Sequence, residues 1–162
     1  MKKIFTLVMF VGSVFAVKAQ QKSNSNSDKK FAIAGGVSIA SYSVTGSSSS
    51  VMGYGVELEG ALGIGGEFQA FAQLGYLNYS KNGSSMGFIP VLVGARYSKQ
   101  FIGGMGIGYG TFTGGGGSVS GFTFSPQAGY DFGKIEALAH YTSTSLVGGS
   151  ANQFGVKVLY KF

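Results

Sequence analysis

The sequence predicts an all-β chain that closes as an eight-stranded antiparallel up-and-down β-barrel, preceded by a cleaved signal peptide. Three observations carry this reading. The chain is apolar, with 44% hydrophobic residues and a mean hydropathy of +0.24. Past its first twenty residues, however, it has no run near the roughly 20 apolar residues of a membrane helix. From Phe31 onward it divides into eight segments in which apolar and small or polar residues alternate, separated by Gly- and Ser-rich turn signals. The last of these, Phe154–Phe162 (FGVKVLYKF), carries Phe154, Val156, Val158, Tyr160 and Phe162 on one face and Gly155, Lys157, Leu159 and Lys161 on the other.

The first thirty residues stand apart. Lys2 and Lys3 precede the apolar run Ile4–Val17, and Val17-Lys18-Ala19 supplies small residues for cleavage. Residues 1–19 therefore read as a secretory signal peptide, with a mature start near Gln20. Residues 20–30 (QQKSNSNSDKK) are polar and unpatterned, as a flexible segment is. Residues 31–162 form the barrel domain. Loss of Lys2, Lys3 and Lys18 lowers the net charge from +6 to +3, which makes no case for nucleic acid. The chain has no Cys, so no disulfide framework and no thiolate metal site.

The strands follow in order. The first spans 31–42, with Phe31, Ile33, Val37 and Ile39 facing one way. The second, 51–62, sets Met52, Tyr54, Val56, Leu58 and Leu62 against Gly53, Gly55, Glu57, Glu59 and Ala61. The third, 67–79, sets Phe68, Ala70, Ala72, Leu74 and Tyr76 against Glu67, Gln69, Phe71, Gln73 and Gly75. The fourth, 87–97, opposes Ile89, Val91, Val93, Ala95 and Tyr97 to Phe88, Pro90, Leu92, Gly94 and Arg96. The fifth, 101–112, places Gly104, Gly106, Gly108 and Gly110 opposite Phe101, Met105, Ile107 and Tyr109. The sixth, 121–132, carries Phe122, Phe124, Ala128, Tyr130 and Phe132 on one side. The seventh, 134–144, opposes Ile135, Ala137, Ala139 and Tyr141 to Glu136, Leu138, His140, Thr142 and Thr144. Short turns at 63–66, 98–100 and 133 alternate with longer loops expected at 43–50, 81–85, 113–120 and 146–150. Short periplasmic turns and longer external loops are the habit of membrane barrels.

Volume decides which face is outside. The interior of an eight-stranded barrel is only wide enough for ordinary side chains. The aromatic faces overfill it, whereas the opposite faces, rich in Gly, Ala, Ser, Thr and Gln, fit. Those opposite faces also hold too few charges to dissolve an exterior, since charged residues are 11% of the chain against about 25% in soluble domains. The barrel is thus expected to be transmembrane, with its apolar face on lipid. Pro90 and Pro126 each remove a ladder donor, so a bulge or a missing hydrogen bond is expected at each, and a bulge would shift the phase beyond it.

The closing strand resembles that of bacterial outer-membrane β-barrels, which end in Phe with apolar residues at alternate positions. The family implied is the small porin-like barrels of the OmpA and OmpX transmembrane type. That resemblance implies an outer-membrane location, contact with outer-membrane lipid, and use of Phe154, Val156, Val158, Tyr160 and Phe162 as a signal to the barrel-assembly machinery. No peptidoglycan-binding domain is expected after the barrel. The function implied is a non-enzymatic structural or surface-interaction role with a closed lumen.

Two alternatives remain open, a narrow channel and an enzyme. His140-Tyr141-Thr142 is similar to the His-x-Ser element of the outer-membrane lipid A 3-O-deacylase family. Here Thr142 replaces the serine, and Phe154 stands where that family needs a Glu. His140 otherwise reads as an interior hydrogen-bonding residue, and as the only histidine it implies no metal site. The glycine run 103–110 lacks the spacing of a nucleotide loop, so no cofactor is indicated.

By parity Glu57, Glu59, Glu67, Arg96, Asp131, Glu136, Lys157 and Lys161 all point inward. Buried charges need partners, and Arg96 is the only Arg in the chain. Arg96 and Lys157 are therefore expected among Glu59, Glu67 and Glu136, paired with neighbouring strands. The leader makes its own prediction. Protein extracted from the outer membrane should give an intact mass lacking residues 1–19, and retention of the full 16.7 kDa would refute cleavage there.

Overall fold

The computed structural model describes residues 31–45, 50–81 and 83–162. The leader and the polar segment lie outside the described residues. Eight strands follow one another in chain order: β1 (Phe31–Val44), β2 (Ser50–Gly65), β3 (Phe68–Lys81), β4 (Ser84–Ser98), β5 (Phe101–Gly114), β6 (Gly117–Asp131), β7 (Ile135–Leu146) and β8 (Gly149–Lys161). Each pairs antiparallel with the next, and β8 returns to β1 to close the barrel. Following the register once around, from Ala34 through Glu59, Gln73, Leu92, Gly108, Thr123, Thr144 and Ala151, ends on Val44, ten residues along β1. That stagger tilts the strands by about 40° and sets a narrow interior.

The inside–outside phase follows the alternation in every strand. Val37, Tyr54, Phe68, Val93, Tyr109, Phe122 and Phe154 are exposed, whereas Phe71, Phe88, Leu92, Leu138 and Leu159 are buried inside. Aromatic residues ring the exterior at two heights. Tyr54, Tyr76, Tyr109, Phe122 and Phe154 form the ring far from the termini, and Phe68, Tyr97, Phe101, Tyr130, Phe132 and Tyr160 the ring near them. Along β5, Phe101 to Tyr109 rises about 20 Å at about 3.3 Å per residue and that tilt. With the rings themselves added, this approaches the apolar band of about 25 Å in membrane barrels.

Neither proline shifts the phase. The β3–β4 pairing breaks between Leu74↔Val91 and Leu77↔Phe88 but resumes in the same register. The β6–β7 pairing does likewise between Phe124↔Ser143 and Gln127↔His140. Each proline still pairs on its other side, Pro90 with Gly110 and Pro126 with Met105. A missing N–H removes a donor from one ladder only, so the outcome is an absent rung and no bulge. The register does shift at Gly63/Gly65, where β2 enters its turn.

The long external loops expected from the sequence are replaced by hairpins. Thr111 pairs with Ser120, Thr113 with Ser118 and Gly114 with Gly117, which leaves only Gly115 and Gly116 in the turn. Their φ values of 58° and 83° are those of a type I′ turn, whose twist matches the flanking strands. Leu146 pairs with Gly149 and Lys81 with Ser84, so these connections are equally tight. Only 45–49 is longer at that end. The reason is chemical. Where strands rise above the apolar band, their outward residues become Ser, Thr and Asn, and by composition such residues look like loop. Cross-strand hydroxyl pairs such as Thr111–Ser120 at 2.9 Å keep them in the sheet.

Inward glycines make room for inward aromatics. A Cβ on Gly110 would lie 2.5 Å from a ring carbon of Phe88 and 2.7 Å from the Thr123 hydroxyl. Gly110→Ala should therefore destabilise the barrel by about 1–3 kcal/mol, the usual cost of overpacking. Urea unfolding in lipid vesicles measures it, and an unchanged midpoint would show that Phe88 is free to move aside.

Candidate functional site

The lumen is layered along the barrel axis. At the end far from the termini, Tyr42, Tyr79, Phe88 and Phe112 pack as an aromatic plug, with ring centroids 5.4 Å apart for Tyr42–Tyr79, 5.5 Å for Tyr42–Phe112 and 4.5 Å for Phe88–Phe112. Ala40, Leu77 and Ala151 complete it. Below lies a polar zone. The Tyr79 hydroxyl donates to Gln153 Oε1 at 2.9 Å. Thr123 meets Thr144 at 2.8 Å, and Ser125 meets Thr142 at 2.7 Å across the missing rung beside Pro126. His140 sits in this zone, buried, with Nε2 3.3 Å from Ser38 Oγ and Nδ1 3.3 Å from Thr142 Oγ1.

The half of the lumen nearer the termini is ionic. Arg96 is 3% exposed and uses its whole fork. Its Nη1 lies 2.7 Å from Glu59 Oε1, Nη1 and Nη2 donate to Glu136 at 3.0 and 3.3 Å, and Nε donates to Gln69 Oε1 at 3.1 Å. The guanidinium also stands 5.9 Å from the Phe71 ring centre, within cation–π range. Lys157 Nζ lies 3.2 Å from Glu57 and 3.8 Å from Glu59, and donates to Gln73 Oε1 at 2.9 Å. Gln73 in turn donates to Glu57 at 2.8 Å. Lys161 Nζ reaches Asp131 at 2.6 Å and Glu136 at 3.3 Å. Charges thus alternate along one chain of contacts: Glu57, Lys157, Glu59, Arg96, Glu136, Lys161, Asp131.

Among the residues expected in this cluster, the structure brings together Glu59, Arg96, Glu136 and Lys157. Glu67 is corrected. It stands in the turn after β2, where the lumen has ended; its carbonyl accepts from Ser98 N–H at 2.8 Å, and its carboxylate makes an exposed contact with Lys99 at 3.8 Å. Glu57, Asp131 and Lys161, inward by parity, extend the network, and Gln69 and Gln73 relay it. The pairing also runs differently from expectation. Arg96 on β4 meets Glu136 on β7 and Glu59 on β2, so the contacts span the lumen rather than joining adjacent strands. A narrow barrel lets long side chains from opposite walls meet at its axis. Strand parity signals which residues point inward; the contacts across the lumen follow from the ten-residue stagger.

Four buried polar atoms, both Glu59 carboxylate oxygens and the amide nitrogens of Gln127 and Gln153, have no aligned hydrogen-bond partner among the described residues. Glu59 is held by charge contact alone. Among the described residues no group of three or more His, Cys, Asp or Glu is placed to hold a metal ion. The closing-strand residues Phe154, Val156, Val158, Tyr160 and Phe162 all point outward. The Phe162 N–H donates to Ile33 O at 2.9 Å, and its ring lies over the outer face of Gly35, where an added Cβ would stand 3.4 Å from it.

Comparison with solved structures matches this architecture. The barrel superposes on the attachment invasion locus protein Ail of Yersinia pestis with a TM-score of 0.58 at 12% identity, covering 84% of this chain and all of Ail. The N-terminal β-barrel domain of Pseudomonas aeruginosa OprF gives 0.59 at 10% identity over 80% of this chain and 97% of that one. Neisserial surface protein A gives 0.52 at 12% identity over 82% and 97%. This chain has the fold of the small outer-membrane barrels. At such identities the likeness is one of fold. Ail has also been solved with the heparin analogue sucrose octasulfate. No protein-family model matches the sequence, and no curated protein matches it.

Removing the Arg96 guanidinium from this outer-membrane-type barrel would leave Glu59 and Glu136 buried without their main counter-charge. Arg96→Ala should cost roughly 3–5 kcal/mol of stability, the range for breaking a buried pair. Lys99→Ala, at the exposed pair with Glu67, should cost under about 1 kcal/mol. Equal denaturation midpoints for the two variants would refute the ranking.

Proposed function

We propose that this chain is a non-enzymatic structural barrel of the outer membrane, with its lumen closed by the ion network and its apolar belt bound to outer-membrane lipid. The observation that carries this is the crosswise contact of Arg96 with Glu59 and Glu136, set beneath the Tyr42–Tyr79–Phe88–Phe112 plug. Side chains from opposite walls occupy the axis at both levels, which speaks against the narrow-channel reading. During biogenesis the closing strand, with Phe154, Val156, Val158, Tyr160 and Phe162 outward, serves as the signal to the barrel-assembly machinery.

Two features favour a structural role over the alternatives. The hairpins after β3, β5 and β7 are tight, which speaks against adhesion through long loops. Both nitrogens of His140 are engaged by lumen hydroxyls. Phe154, at the position where a deacylase-like site needs its acid, faces outward, so a base-and-orienter arrangement around His140 lacks its third member.

Planar-bilayer recording on refolded protein tests the closed lumen. The expected result is no protein-dependent current. Reproducible single-channel steps would overturn it, and steps that appear only in Arg96→Ala would assign closure to the network.

A further inference from the structure

Among the described residues, Gln127 on β6 is a lumen amide that joins neither the ion network nor the hydroxyl contacts around His140. It is 5% exposed, its Nε2 is buried without a partner, and no described group donates to its Oε1. An unpaired buried amide is costly, and the lipid outside the wall offers it nothing.

The rung missing beside Gln127 leaves an acceptor without its donor. Antiparallel pairs alternate between hydrogen-bonded and non-hydrogen-bonded. The Phe132 N–H donates to Ile135 O, so every second pair from there is bonded, and in the register of Gln127↔His140 Pro126 faces Tyr141 at such a pair. Pro126 has no N–H, so the Tyr141 carbonyl receives none from β6. The neighbouring side chains do not stand in. The Ser125 and Thr142 hydroxyls are turned to each other at 2.7 Å, and both His140 nitrogens face hydroxyls. Gln153, across the ladder from Thr142, likewise leaves its Nε2 unpaired.

We infer that a resident water molecule sits in the lumen beside the missing rung, accepting from Gln127 Nε2 and donating to the Tyr141 carbonyl. Buried waters make about three hydrogen bonds each, to polar groups that lack other partners. A charged ligand fits less well. The carboxylates Glu57, Glu59, Glu136 and Asp131 outnumber Arg96, Lys157 and Lys161 by four to three, so the lumen repels an anion, and a cation would meet the N–H face of Gln127. The aromatic plug on one side and the ion network on the other enclose the water, and a single enclosed water carries no current.

Water contacts read by NMR on the full mature chain in phosphatidylcholine nanodiscs test the site. At this height the exterior is lipid, so a water peak to an amide here reports water inside the barrel. Rotating-frame NOE spectra should connect water to the Gln127 side-chain amide and to the Tyr141 main-chain N–H, with the sign opposite to that of chemical exchange. Gln127→Leu should abolish the Tyr141 peak. Ser125→Ala with Thr142→Val removes the nearby exchanging hydroxyls, and the Gln127 peak should persist in it. Unchanged heat-modifiable migration on gels confirms that the variants fold; if Gln127→Leu does not fold, the wild-type and hydroxyl-deleted spectra decide. No water peak at Gln127 in the wild-type chain, its loss in the folded hydroxyl-deleted variant, or an undiminished Tyr141 peak in folded Gln127→Leu would overturn the assignment.

Discussion

Arg96 holds the interior of this barrel together. Its guanidinium meets an amide from the paired strand β3, a carboxylate from β2 and a carboxylate from β7, so one side chain ties β4 to two walls with which it shares no backbone ladder. A charge this deeply buried is tolerable only with such full engagement, because desolvation costs several kcal/mol per ion before any partner is counted. The alternation of sign from Glu57 to Asp131 has the same origin. Each cation lies between two carboxylates, so no positive charge on the lumen axis stands alone.

The same strands reverse their amphipathic sense along their length. In the apolar belt they are greasy outside and polar inside, as at Val156 beside Lys157. Beyond the upper aromatic ring they are hydroxylated outside, at Ser80, Thr111, Ser120 and Ser145, and aromatic inside, at Tyr79 and Phe112. The phase of the pleat never changes. What changes is the solvent around the barrel, from lipid to water, and residue type follows it. The plug is then an ordinary hydrophobic core built where the exterior is wet, and the ion network occupies the part of the lumen whose exterior is dry.

Glycine and aromatic residues are distributed as complements. Gly94 and Gly106 face the Phe71 ring, Gly110 faces Phe88 and Gly53 faces Tyr79. A barrel with this stagger has little room inside, and bulk on one strand demands its absence on a neighbour. Outside, the Phe162 ring lies over Gly35 on the first strand, beside the seam where β8 meets β1.

Strand count, the face of the strand residues and the inward charges other than Glu67 were legible in the sequence, because a period of two assigns each side chain to a side whatever the register. Alternation also carried the phase through Pro90 and Pro126, since one missing N–H removes a rung without inserting a residue. Tertiary structure alone decided the rest. Thr113–Ser120 and Leu146–Ser150 have the composition of loops, and only pairing with a facing strand makes them hairpins. Glu67 is inward by parity, yet it stands past the mouth because the register shift at Gly63/Gly65 ends the lumen before it. The partners of Arg96 follow from the ten-residue stagger, which is fixed when β8 meets β1 and which no local pattern encodes. Which side of the sheet a residue faces is set by its immediate neighbours in sequence; which residues meet across the lumen is set by how the sheet closes on itself.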